Sequence, residues 1–147
     1  MRGARRSRAG TAGALALATL GLTVAGYAAA PAAVAAGTYN GPCGPGYKVV
    51  DALPLGDATT VFLTWNGSTG KNCVVHQIVT DNGGWPWMVG VWIQRTADGT
   101  MARDYGAYTR YAGPRYVNGR GTCISWGGWL GSDPSEHAVA RYDSHCG

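Results

Sequence analysis

The sequence predicts an all-β fold: a single small antiparallel β-sandwich or barrel of about seven or eight short strands, stapled by two disulfides. Three observations predict it. Strand-like runs alternate with Gly-, Asn- and Asp-rich turn signals along residues 37–147. Beyond residue 36 no window sustains a 3.6-residue apolar period. The chain also holds 24 Gly, six Trp and eight Tyr against one Phe, a composition suited to short strands and tight turns rather than helices.

The runs follow one another closely. "YKVVDAL" (47–53) leads into the turn "PLGD". "TTVFLTW" (59–65) meets "NGSTG", and "KNCVVHQIVT" (71–80) returns from it, so these two runs are expected to form a hairpin. "DNGG" turns the chain into "WPWMVGVWIQRT" (85–96), and "ADGT" turns it again. "RDYGAYTRY" (103–111), "RYVN" (115–118), "GTCISW" (121–126) and "HAVARYD" (137–143) complete the series. Neither an internal repeat nor a linker interrupts it, so residues 37–147 read as one domain.

Strand periodicity sorts the tryptophans. In 85–93, Trp85, Trp87, Val89, Val91 and Ile93 share one face; Pro86, Met88, Gly90, Trp92 and Gln94 share the other. The first set is apolar throughout and is expected in the core from Trp87 onward. Val61, Leu63 and Trp65 make a matching stripe. In "WGGWLGSD", by contrast, Trp129 sits in what reads as a Gly-rich loop with no alternation to bury it, and Trp126, at the end of the "GTCISW" run, lies beside Gly127 and Gly128. They are the expected exposed aromatics.

The first 36 residues have the three-part grammar of a secretory signal. "MRGARRSRAG" carries four arginines and no acid, "TAGALALATLGLTVAG" is uncharged and apolar, and "YAAAPAAVAAG" ends in small residues. Cleavage is expected after Ala36, with Ala35 the alternative. The apolar run has no stop-transfer charges after it, so no lasting membrane insertion is expected. The signal holds Arg2, Arg5, Arg6 and Arg8 of the 12 Lys and Arg. The remaining eight balance the eight Asp and Glu, and the net charge falls from +4 to zero. The basic character thus belongs to the targeting segment, and nucleic acid is excluded as an expected partner.

Cys43, Cys73, Cys123 and Cys146 all fall in the exported part, where an even count reads as two disulfides. Three connectivities satisfy that count. Cys73 and Cys123 both begin β-like runs and Cys43 and Cys146 both lie in Gly-rich ends, which favours Cys73–Cys123 with Cys43–Cys146. No C-x-x-C pair marks a zinc site, and His137 with His145 lacks a third ligand at sensible spacing. No cofactor is expected.

Catalytic constellations are weak. Ser125, His137 and Asp143 offer the residue types of a hydrolytic triad without any local signature such as G-x-S-x-G. Glu136 is the sole Glu, and most Asp residues sit in turn sequences rather than as a paired acid and base. His76 reads as a strand residue of either face. Carbohydrate binding has better material: "DNGGWPW" and "WGGWLGSD" set Trp85, Trp126 and Trp129 beside acids, with Asp133 at hand to bond hydroxyls. "GSDPSEH" offers an exposed loop for a third class, a secreted protease inhibitor.

Several motifs together resemble a known family. "CGPGYKVVDALPLG", "LTWNGSTGKNCVV", "YTRYAGPRYV", "CISWGGWLG" and "YDSHCG" are similar to those of the spore-associated proteins of streptomycetes and related actinomycetes, with the four cysteines in these same motifs. The resemblance spans Cys43 to Gly147. It implies an extracellular location, at the spore or cell surface, and no particular reaction. The expected function is therefore a non-catalytic secreted protein that partners a spore or cell-envelope component, with a cell-wall glycan module as the alternative.

Overall fold

The structure, a computed structural model, describes residues 37–147. The expected signal peptide and its cleavage site lie outside the described residues. Eight strands form, and no helix occurs among the described residues. They are β1 (Lys48–Leu55), β2 (Thr59–Asn66), β3 (Lys71–Ile78), β4 (Trp87–Arg95), β5 (Met101–Tyr108), β6 (Tyr111–Asn118), β7 (Ile124–Leu130) and β8 (Ala138–Ser144). The all-β expectation is met.

Two four-stranded antiparallel sheets face each other, in the orders β1-β2-β3-β6 and β5-β4-β7-β8. The expected hairpin is β2–β3, in register from Thr59↔Ile78 to Asn66↔Lys71. Its turn is shaped by Asn66, whose Oδ1 accepts the backbone N–H of Ser68 (3.0 Å) and Thr69 (3.2 Å). β6 bends where it pairs β3: the register shifts between Val74 and His76. Gly113 sits at that bend with φ +91°, and any Cβ there would press on the Val74 carbonyl at 2.9 Å.

The period-two pattern decides what is buried. Val61 and Leu63 of β2, Val74 of β3, Val89, Val91 and Ile93 of β4, and Ile124 and Trp126 of β7 form the core between the sheets. Trp87 packs against this cluster at its margin and is only partly buried. Trp126 is the largest side chain of the core, fully buried at 0 % exposure. The expectation of an exposed Trp126 is corrected, because "WGGWL" is a strand. Gly127 and Gly128 lie within β7, and a Cβ at Gly128 would meet His76 and Val61 at 2.8 Å. Glycine serves there for close approach, not for a loop.

A second, smaller cluster covers the other face of the β1-β2-β3-β6 sheet. Phe62, Cys73 and Val75 point outward from it, and Tyr39, Cys43 and Tyr47 of the N-terminal segment lie over them. That arrangement corrects the disulfide expectation. The bridges are Cys43–Cys73 and Cys123–Cys146, and neither Cys73–Cys123 nor Cys43–Cys146 forms. Cys73 faces the covering segment, on the sheet opposite the one that Cys123 leads into. Cys123 instead lies just before β7, whose antiparallel partner β8 pairs Ser144 with Ile124 and so delivers Cys146 to it. Each bridge fastens one end of the domain to the nearest strand.

Candidate functional site

A polar pair, His76 and Thr59, is fully buried in the core. His76 of β3 points inward and crosses to the opposite sheet, with Nδ1 2.9 Å from the Gly90 carbonyl and Nε2 2.9 Å from Thr59 Oγ1. A carbonyl only accepts, so Nδ1–H is the donor and Nε2 is left to accept from Thr59. Burial pushes the imidazole down to about 4, against the opposing pull of the Gly90 hydrogen bond. His76 is thus a neutral fastener between sheets and holds no reactive proton near neutral pH.

Both open edges of the sandwich are clasped by a carboxylate. Asp104 on β5 accepts from Arg115 Nη2 (3.0 Å) on β6, from Tyr108 Oη (2.9 Å) and from the Gly113 backbone N–H (2.8 Å). Burial raises the Tyr108 phenol above its ordinary range, and its bond to Asp104 adds to the rise. At the opposite edge Asp51 of β1 accepts from Arg141 Nη1 (2.8 Å) on β8 and from His145 Nε2 (2.9 Å). Each acid ties one sheet to the other.

The outer face of the β5-β4-β7-β8 sheet carries the aromatic surface. Gly90 is paired on one side with Tyr105 and on the other with Trp129, so the three residues form a row across the sheet. The Trp129 indole lies over Gly90, where any Cβ would collide with it. It stacks with Tyr105 at 5.4 Å between ring centroids and 25° between planes. Two residues along, Trp92 meets Tyr142 at 5.8 Å and 39°. Tyr105 is 42 % exposed and Tyr142 68 %, while the two indoles are half-buried beneath them. With neighbouring strands about 4.8 Å apart, the surface from β5 to β8 is about 14 Å wide.

The residues singled out from sequence are not gathered at one point. Trp129 is on this outer face, in a strand rather than a loop. Trp85 lies in the 79–86 connection and is 75 % exposed, more than any other large apolar residue described. Asp133 is exposed in the β7–β8 connection, where Oδ1 is taken up by Ser135 N (2.8 Å) and Oγ (2.7 Å). Those local bonds hold its carboxyl below the usual carboxylate range. Trp126, in the core, presents no surface at all. Sequence reasoning missed Trp92, Tyr105 and Tyr142 as a group. Period-two alternation already placed Trp92 opposite the core stripe, and that was the signal for it.

The Ser125, His137 and Asp143 trio is not assembled. Ser125 lies near the start of β7 and its Oγ accepts the Asp143 backbone N–H at 3.1 Å. His137 sits beyond the other end of that strand, where its carbonyl accepts the Leu130 N–H at 2.9 Å. Five strand positions, about 17 Å, separate the two ends. His137 and His145 are likewise apart, and no group of three His, Cys, Asp or Glu able to hold a metal occurs among the described residues.

Comparison with known proteins gives a relative but no fold neighbour. No protein-family model matches the chain, and no solved structure does. The chain is 41 % identical over 126 residues to spore-associated protein A of Streptomyces coelicolor, an alignment covering 86 % of this chain and 78 % of that one. On that similarity, the chain belongs to the spore-associated protein family of streptomycetes.

Proposed function

We propose that this is a non-catalytic secreted protein retained on the spore or cell envelope through the outer face of its β5-β4-β7-β8 sheet. One observation carries the reading. The N-terminal segment lies over Phe62, Cys73 and Val75 on the outer face of the other sheet, whereas this face leaves Tyr105 and Tyr142 exposed beside two half-buried indoles. Contiguous exposed apolar surface of this kind marks contact sites. The relative's name, spore-associated protein A, and the signal-like first 36 residues agree with an extracellular setting.

A second reading takes the same face as a glycan platform, since flat exposed rings suit stacking on sugars. Co-sedimentation separates the two. Purified protein is expected to sediment with intact spores, and a Tyr105→Ala, Tyr142→Ala variant with an unchanged melting curve is expected to stay in the supernatant. Binding to isolated chitin or peptidoglycan, lost in the same variant, would put the glycan reading first. Undiminished sedimentation of the variant would remove this face from the function.

A further inference from the structure

At the end of the sandwich away from the β5–β6 turn, a cleft of about 470 Å³ opens between the β2–β3 turn, the β6–β7 connection and the C-terminal tail. Its size is that of a small-ligand site. Trp65 continues the inward stripe of β2 past the core and becomes the wall of this cleft. Two glycines frame the indole. A Cβ at Gly67 would stand 3.6 Å from its Nε1, and one at Gly119 would stand 3.3 Å from Cζ3. No side chain from either position covers the ring, and among the described residues its Nε1–H has no acceptor.

Arg120 supplies the charge. One guanidinium N–H is engaged, Nη2 with the Gly67 carbonyl at 3.2 Å, which holds the group across the mouth of the cleft. Among the described residues no Asp or Glu carboxylate lies within ion-pair distance of it. His145, also in the wall, is bonded to Asp51, and that acid is further matched by Arg141. The Asn72 amide is already bonded to the Thr64 carbonyl at 3.2 Å. What remains unspent is a set of N–H donors and one positive charge beside an aromatic plane, with Val50 exposed at the margin.

We propose that this cleft binds a carboxylated sugar ring, the carboxylate on Arg120 and the ring against Trp65. Arg presents parallel N–H groups that match a carboxylate, and a pyranose lays its C–H face on an indole while its oxygens accept from Nε1–H. A neutral sugar leaves the guanidinium unmatched, and a bare anion leaves the indole unused. This site is separate from the outer aromatic face and does not depend on the envelope reading.

Calorimetric titration of the folded protein with trigalacturonate, cellotriose and inorganic phosphate tests the proposal. Trigalacturonate is expected to bind at least about tenfold more tightly than either other probe, the size of one charge-assisted hydrogen bond. Arg120→Gln is expected to lose about that factor, whereas Arg110→Gln, the same charge change at the far β5–β6 turn, leaves affinity unaltered. Gly67→Leu shields the indole from a solvent-exposed turn without touching the core, and it is expected to lose at least as much affinity as Arg120→Gln. Equal affinity for cellotriose, equal affinity for phosphate, or full binding by Arg120→Gln or Gly67→Leu each overturns it.

Discussion

Acid is expected to loosen this fold well above the carboxylate range, because of His76. In the folded state its imidazole stays neutral until about pH 4, since burial disfavours the cation. In the unfolded chain an ordinary histidine takes its proton near pH 6.5. Between those values the unfolded state binds more protons than the folded one, so stability falls as pH falls and levels off below about 4. At ~1.4 kcal/mol per pH unit, the interval corresponds to about 3 kcal/mol. That is a large part of what a domain of this size possesses. Urea unfolding followed by tryptophan fluorescence at half-unit steps from pH 7.5 to 3.5 measures it. A His76→Gln variant provides the reference, since glutamine can bond Thr59 or Gly90 but cannot titrate. The wild type is expected to lose stability steadily from pH 6.5, and the variant to stay flat until carboxylates protonate. Identical slopes for the two proteins between pH 6.5 and 4.5 would refute the assignment of a buried neutral imidazole.

Three further outcomes are expected. Gly90→Ala forces the Trp129 indole off its seat and should cost about 1–3 kcal/mol; in a Trp129→Ala background most of that cost should vanish, which a double-mutant cycle by thermal unfolding will show. Trp126→Ala empties the middle of the core and should cost about 3–5 kcal/mol, whereas Trp85→Ala should change stability by less than about 0.5 kcal/mol. Replacing Cys43 with Ala should leave Cys73, buried in the fold, as the single free thiol that reagents find once the chain is unfolded in urea, with Cys123 and Cys146 still paired. With sequence separations of 30 and 23, each bridge is worth about 3–4 kcal/mol in the chain-entropy model, and urea unfolding of the Cys→Ala pairs measures it.

The strands were legible because alternation survives in the sequence. Val61 and Leu63, and Val89, Val91 and Ile93, point inward as period two requires, and the β2–β3 turn announces itself in "NGSTG". What failed was local sequence that serves a distant neighbour. The glycines of "WGGWL" resemble a loop until one knows that His76 and Val61 press on Gly128 from the opposite sheet. Disulfide partners depend on which sheet and which face each cysteine occupies; position in a β-like run says neither. Asp51 and Asp104 were hidden the same way, since nothing near "VVDAL" or "RDYGA" shows Arg141 or Arg115 arriving from another strand. The outer aromatic face was half legible: parity gave Trp92, while Tyr105 and Tyr142 needed the strand order β5-β4-β7-β8.

The clasped edges bear on how copies of this protein meet when crowded. A strand at the rim of a sheet invites another chain to add to it, and two sandwiched sheets have four such rims: β1, β6, β5 and β8. Here β1 carries Pro54 and a register shift between Val49 and Asp51, and β6 carries Pro114 and its own shift. β8 pairs irregularly with β7, and β5 is drawn against β6 by Asp104 and Arg115. Proline offers no N–H, and a bulged or bent strand offers no straight ladder for a neighbour to extend. Packed densely on a surface, these domains have no ready route to fibre-like growth by backbone pairing. Any ordered layer they build must be held by side chains.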